Sequence, residues 1–423
     1  MIFGSFPAES GTLLEMAPRF LGCIATVLVL SSSASALDAP ARPIELETPA
    51  IKKVWSQRLP GFVTDLAVSA DAESVFFATI PDFDRNDGQR DFRVSRVNRS
   101  GKVLWSKKTE AQVKAVSISD DGKVAVFADY NDELTALGPS GKQLWKVHGP
   151  CRPLVMGPLK KVVCYHDDDA EPKTAYELLE LGTGKRAGSF PISGDILALK
   201  LSSDARGLVM ALHDANAAKG KQNRIVVMGG VMGGAQLGQL GEAYVGGVIV
   251  DVAVSSGASP NVAVLWNSGE REQKVTLLRG AAPKMEMTAS EVSTTLGRGE
   301  QIEISSNGEQ AFVYGNSVEG QWLRAFSGTP LRLEWSTQMS PKQAEYSSGI
   351  TVTDKAVVAG VESIGELSRT SSYRAFQSTT GTPLWQTAVT REPGSYLYTQ
   401  AWAPRRGLLV VGTDDAWLSA YAP

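Results

Sequence analysis

The sequence predicts an all-β protein folded as a β-propeller of eight four-stranded blades. Three observations carry that expectation. From about residue 45 onward the 423-residue chain shows short alternating or apolar runs broken by Gly, Asp, Asn and Ser, with no sustained helical period. Two strand–turn–strand units alternate along it at roughly 40–50 residues, the length of a propeller blade. The first strand-like segment has no companions before it, and the last repeat is one strand short.

The first unit is a strand, a Ser/Asp/Gly turn and a second strand. It reads LAVSADAESVFFA (66–78), AVSISDDGKVAVFA (115–128), LKLSSDARGLVMAL (199–212), VAVSSGASPNVAVLW (252–266) and IEISSNGEQAFVYG (302–315). The second unit is a strand, a Gly turn and a Trp-bearing strand: RVSRVNRSGKVLW (93–105), ELTALGPSGKQLW (133–145), WLRAFSGTPLRLEW (322–335) and YRAFQSTTGTPLW (373–385). In a degenerate copy, ELLELGTGKRAGSF (177–190), Phe190 stands in the Trp place. Joined, the two units supply strands a, b, c and d of one blade. Trp105, Trp145, Phe190, Trp335 and Trp385 are expected to pack between adjacent blades, because a residue at the repeat period serves the contact between repeats. Two less regular copies fit between 190 and 335, with d strands near 240 and 287. The Gly-rich stretch GGVMGGAQLGQLG (229–241) follows no phosphate-loop pattern and reads as turns within one of them.

The ends of the chain complete the count. IKKVWSQRL (51–59) carries Trp55 in a d-strand setting with no a, b or c strand before it, and WLSAYAP (417–423) matches a c strand. The N-terminal strand is therefore expected to complete the last blade, which closes the ring and removes an open sheet edge. Strands of type d at 55, 105, 145, 190, about 240, about 287, 335 and 385 make eight blades. Seven is the alternative, if 191–290 holds one blade fewer.

The Ala-Leu/Phe, Gly, Leu-Trp arrangement of ELTALGPSGKQLW and YRAFQSTTGTPLW resembles the quinoprotein-like (PQQ-like) propeller repeat. The SDDG and SSNG hairpins look like those of WD40-like bacterial propellers. The resemblance covers nearly all of 45–423. One branch of that superfamily is the quinone-dependent dehydrogenases, which are typically longer and often carry two adjacent cysteines over the cofactor. The other is non-catalytic and includes the periplasmic propeller subunit of the outer-membrane barrel-assembly machine, of matching size, with eight blades and no cofactor. This chain has no Cys-Cys pair, and it also lacks the lipobox of that subunit. The resemblance implies a non-catalytic protein- or peptide-binding scaffold without a cofactor. A quinoprotein-like or metal-dependent enzyme acting at the central funnel is the alternative.

The N-terminal segment MAPRFLGCIATVLVLSSSASA (16–36) places Arg19 before an apolar run at 20–30 and ends on Ala34-Ser35-Ala36, the small residues that a signal peptidase reads. Cleavage after Ala36 is expected, with Met16 as the start, 37–44 as a short linker and 45–423 as the propeller. An uncleaved anchor is the alternative. The expected compartment is the periplasm or the exterior. The apolar run is too short for a stable spanning helix, and no other segment is apolar enough to cross a membrane. A formal charge of −3 offers no basic excess for nucleic acid. A monomeric propeller is expected.

Cleavage leaves Cys151 and Cys164, an even count in an exported chain. They flank RPLVMGPLKKVV, which reads as strand, turn, strand. If Gly157-Pro158 centre a two-residue turn, Cys151 falls opposite Cys164, within bridging distance. Two free buried thiols are the alternative.

Several polar groups are candidate sites. The loop DFDRNDGQRD (82–91) is similar to a calcium loop with one extra residue before Gly88, so Asp82, Asp84, Asn86 and Asp91 are candidate oxygen ligands; a solvated hairpin loop is the other reading. His166-Asp167-Asp168-Asp169 and His213-Asp214 sit at equivalent places just after the b strands of adjacent blades, where they form either a divalent-metal site or a polar rim. With three His and no G-x-S-x-G elbow, a Ser-His-Asp hydrolase has little support. The b–c loops are often acidic, as in DYNDE (129–133), HDDDAEPK (166–173) and TDDA (413–416). Asp129, Asp132, His166, Asp167, Asp168, His213, Asp214, Asp414 and Asp415 thus mark a candidate interaction face for a protein or peptide partner.

Overall fold

The Ser-x-Asp/Asn turns of the first unit fold for a local reason. Ser69 Oγ donates to Asp71 Oδ1 at 2.7 Å and accepts from Ser74 N at 3.0 Å, and the same pattern recurs at Ser119/Asp121, Ser202/Asp204 and Ser305/Asn307. Side-chain oxygens that satisfy turn amides in this way fix the a–b hairpin. The structure, a computed structural model, describes residues 51–81, 91–165, 175–191, 193–230, 237–269, 272–280, 288–294, 298–317, 320–340, 349–353, 355–364, 369–388, 397–403, 407–413 and 416–422.

The strands form eight four-stranded antiparallel sheets. Blades 1 to 7 span 61–108, 113–148, 152–191, 195–245, 248–294, 298–340 and 350–388. Blade 8 takes strands a to c from Leu397–Ala403, Leu408–Thr413 and Trp417–Ala422 and strand d from Lys52–Arg58, with Lys52 opposite Ala422 and Arg58 opposite Trp417. The N-terminal strand closes the ring as expected, and the blades number eight. Among the described residues no helix is long and apolar enough to cross a membrane.

Each sheet is apolar on both faces, so burial is possible only against a neighbour on each side. The core accordingly divides into one apolar cluster per seam: Phe76 with Val116 and Phe127 between blades 1 and 2, Met156 with Met210 between 3 and 4, Tyr314 with Val357 between 6 and 7, and corresponding sets at the other five. The Gly turn and the Trp strand of the second unit explain each other across four seams. The indole Nε1 of Trp55, Trp105, Trp145 and Trp335 donates to Arg99 O, Pro139 O, Leu181 O and Ser378 O of the next blade's c–d turn, at 2.7–2.9 Å. Gly101, Gly141, Gly184 and Gly381 lie under those rings with φ of 67–82°, and a Cβ there would stand 2.7–2.8 Å from the indole. Glycine supplies both the left-handed turn and the clearance.

Three expectations are corrected. Phe190 does not occupy the Trp place. Trp145 stands four residues past Gly141, and the residue four past Gly184 is Gly188, which pairs with Leu178, while Phe190 pairs with Tyr176. The two ends of the Gly-rich stretch are strand and not turn: Asn223–Gly230 and Leu237–Val245 are the c and d strands of blade 4, and 231–236 lie outside the described residues. The cysteine hairpin has a longer turn than two residues. Pro158, whose fixed φ suits a helical first turn, draws Gly157–Leu159 into a 3-10 turn, and Met156 then pairs with Lys161. Pro153, not Cys151, faces Cys164. Cys151 sits just before strand a and is joined to Cys164 by a disulfide with the Cα atoms 5.1 Å apart.

Candidate functional site: the central channel and the loop rim

The a strands line the central channel, and most of them are bulged near their entry. Pairing with strand b shifts register around Thr64, Lys114, Leu197, Val250, Glu300 and Tyr398. A bulge re-aims the residue that follows it. Asp65, Asp251 and Gln301 each follow a bulge, and each reaches the next blade: Asp65 Oδ2 accepts from Val116 N at 2.7 Å, Asp251 Oδ2 from Ile302 N at 3.0 Å, and Gln301 Oε1 from Ile350 N at 3.1 Å. Ser117 Oγ accepts from Val155 N at 3.0 Å in the same manner. Polar side chains at the inner strands therefore tie one blade to the next.

A cation joins this set. Lys200 of blade 4 places Nζ 3.7 Å from Asp251 Oδ2 of blade 5 and 3.2 Å from Glu303 Oε1 of blade 6. The Glu303 carboxylate, with Asp251, holds the Lys200 ammonium above its ordinary range. Burial pushes Asp251 and Glu303 up, and Lys200 opposes that rise. Burial also raises Asp65 to about 6, against the backbone amides of Val116 and Leu66.

At the a–b end the channel widens into a cavity of about 300 Å³. Val68, Ile118, Leu201, Val254, Ile304 and Val352 line it, each from the last residue of strand a of its blade, and Trp402 lines it from one residue before the end of strand a of blade 8. Glu303 and Asp120 also reach the wall. The Nε1 of Trp402 is buried and makes no hydrogen bond.

The rim residues singled out in the sequence are mostly turn builders where they are described. Asp129 is 3 % exposed, and its Oδ1 accepts from Asn131 N and Glu133 N at 3.0 and 3.1 Å, which fixes the b–c turn of blade 2. Asp132 sits at a φ of 59° and pairs with Lys114 Nζ at 2.7 Å. His213 Nδ1 lies 2.8 Å from Asn223 Oδ1, and Asp214 Oδ1 accepts from Asn216 N at 2.9 Å. Asp91 pairs with Arg93 at 2.8 Å. Asp82, Asp84, Asn86, His166, Asp167, Asp168, Asp414 and Asp415 lie outside the described residues, as do the segments read as signal peptide and linker. Among the described residues no three His, Cys, Asp or Glu side chains are grouped to hold a metal ion. What the sequence reading missed is the channel set Asp65, Lys200, Asp251, Gln301 and Glu303. Its signal was present: a charged or amide residue interrupting an otherwise apolar a strand, as in TDLAV, ALKL, VDVAV and EQIEI.

Comparison with known proteins gives the same architecture. The protein-family model described as outer membrane protein assembly factor BamB matches residues 90–153, which hold strands c and d of blade 1, blade 2 and the start of blade 3. The crystal structure of BamB from Moraxella catarrhalis superposes with a TM-score of 0.59 at 16 % sequence identity, covering 88 % of this chain and 100 % of that one. The chain thus has a BamB-like, PQQ-type propeller fold. No curated protein sequence matches it.

Proposed function

We propose that this chain is an exported, non-catalytic binding propeller that serves protein–protein assembly in the bacterial envelope, with the b–c loop rim as its recognition surface. One observation carries the reading. The charged side chains around the channel are engaged with neighbouring blades: Asp65 with Val116, Asp251 with Ile302 and Lys200, and Glu303 with Lys200. A channel whose polar groups serve the ring is a scaffold's channel, whereas a catalytic funnel directs such groups at a substrate. The likeness of fold to an assembly factor supports the same direction, as analogy.

The test is site-specific photo-crosslinking in cells. A crosslinker replacing Tyr130, 60 % exposed in the b–c turn of blade 2, is expected to give adducts with envelope proteins. One replacing Ser203, at the a–b mouth, is expected to give none. Purified protein that carries a bound quinone or stoichiometric calcium, with no adduct from either position, overturns the reading in favour of an enzyme at the funnel.

A further inference from the structure

The outer edges of the blades differ sharply in charge. The d strands of blades 8, 1, 2 and 3 are KKVWSQR (Lys52–Arg58), VLWSKK (Val103–Lys108), QLWKVH (Gln143–His148) and RAGSFP (Arg186–Pro191). They contain no Asp or Glu, although the whole chain is formally −3. The c–d turns of blades 1, 2 and 3 add Lys102, Lys142 and Lys185 to the same arc. The d strands of blades 4, 5 and 6 carry Glu242, Glu291 and Glu334, the last paired with Arg332 on its own strand. Large exposed apolar side chains gather on the basic arc: Val54 at 48 %, Val103 and Leu104 at 47 % and Leu144 at 46 %.

The d strand of blade 1 concentrates these features. It is the terminal strand of its sheet, so one side of its backbone faces away from the blade. Every residue of Val103–Lys108 except Trp105 is exposed. Lys102 and Lys108, at its two ends, make no ion pair among the described residues, while Lys107 Nζ is engaged with Gly141 O at 2.8 Å. Lysines on an edge strand keep two copies of a protein from pairing edge to edge. They do so only against another basic strand. Against an acidic strand the same charges attract, and the edge becomes selective rather than closed.

We propose that the outer edge of Val103–Lys108 binds an extended acidic segment of a partner protein by strand addition. The partner backbone pairs with the free edge, its apolar side chains lie beside Val103 on one face and Leu104 on the other, and its carboxylates meet Lys102 and Lys108 at the two ends. Main-chain pairing supplies affinity, and the alternating side chains supply selectivity. The edge runs outward from the b–c rim, which its Lys108 end adjoins: Lys107 and Lys108 line one pocket with Asp129 and Glu133 of the b–c turn of blade 2. The inference rests on the binding-protein reading only in assigning that partner a chemistry.

The experiment titrates the purified full chain into a fluorescein-labelled ten-residue peptide with two Glu at each end and Val and Thr between them, read by anisotropy. Saturable binding is expected, weakening as salt rises from low to physiological strength. The double variant K102E/K108E should bind at least tenfold more weakly. A peptide N-methylated at alternate residues should lose as much, because pairing needs its backbone N–H groups, and R332E on the d strand of blade 6 should change nothing. Equal binding by K102E/K108E, or by the N-methylated peptide, overturns the proposal. So does sedimentation of the protein with phosphatidylglycerol vesicles that the peptide cannot compete, which would make the arc a lipid-facing surface. Crosslinking from Tyr130 is scored separately, so peptide failure with intact adducts defeats the edge site and leaves the scaffold reading standing.

Discussion

Blades 6, 7, 8, 1 and 2 carry a d-strand tryptophan directed at the next blade, whereas blades 3, 4 and 5 carry none, and the two arcs are held by different physics. In the first arc a buried or half-buried indole donates to a turn carbonyl over a glycine at four seams. The fifth, Trp385, meets the ring closure, where no c–d turn exists, and packs in one cluster with Ile51 and Tyr421. In the second arc the seams differ from one another. Met156, Tyr176, Met210 and Met228 fill the seam between blades 3 and 4, and methionine adapts to irregular space. Aliphatic residues and the buried Trp266 fill the next. Between blades 5 and 6, Gln273 bonds both ways to Gly299, at 3.0 and 2.6 Å, and Leu331 N donates to Ser290 Oγ at 2.6 Å. The Lys200 tie spans this same region at the channel. The lesson is that a ring needs every seam satisfied but does not need every seam satisfied alike.

The comparison breaks most visibly at a latch. Trp145→Ala removes a side chain that is 7 % exposed together with its bond to Leu181 O, and a loss of about 3–5 kcal/mol is expected in denaturant unfolding. Phe190→Ala, at the position that imitates the repeat, should cost only about 1–2 kcal/mol because that ring is half-buried. Equal losses would mean that the latch is no stronger than ordinary seam packing.

Blade 3 lacks a latch of its own and is stitched within itself by Cys151–Cys164, which closes a loop of 13 residues. Replacing both with Ser is expected to lower stability by about 3 kcal/mol, and a reductant should lower the wild type equally but leave the variant unmoved. Lys200→Met tests the ionic tie. It leaves Asp251 and Glu303 facing each other without their cation, and a loss of about 2–3 kcal/mol is expected, moderated by the 37 % exposure of the lysine side chain. Lys200→Arg should recover most of it.

The smallest effect is a pH dependence in the latched arc. Asp65 rises from 3.8 to about 6 on folding, so the folded state favours its neutral form. Its contribution to stability is complete below about pH 4 and is lost as pH rises through 6, which is the sign for a raised carboxyl. Asp65→Asn keeps an acceptor for Val116 N and removes the titration. It should therefore flatten the decline in unfolding free energy between pH 4 and 7 by on the order of 1–2 kcal/mol. An unchanged slope would show that Asp65 titrates alike in both states.

Much of this was legible in the residues. The Ser-x-Asp and Gly–Trp pairs are local in sequence and repeat at the blade length, so strands, turns, blade number and the closing strand could all be read from them. The second arc was legible only as a gap of the right length, because Met and Val packing leaves no fixed spacing. Phe190 was misplaced for a related reason: an aromatic residue near the expected position outweighed the count of four from Gly184, which leads to Gly188. The candidate rim residues were found as acidic loops, but Asp129 is buried in its own turn, a fate that composition does not reveal.

The sequence by itself determined the repeat, the strand order and the closure of the ring, because hydrogen bonds within a hairpin and glycine under an indole depend on near neighbours along the chain. Only the tertiary structure decided which polar residues meet at the centre. Lys200, Asp251 and Glu303 are separated by about fifty residues each, and they converge because each blade brings its innermost strand to one axis, where bulges aim side chains across the seam. No spacing rule within a repeat encodes a contact that exists only once the ring has closed.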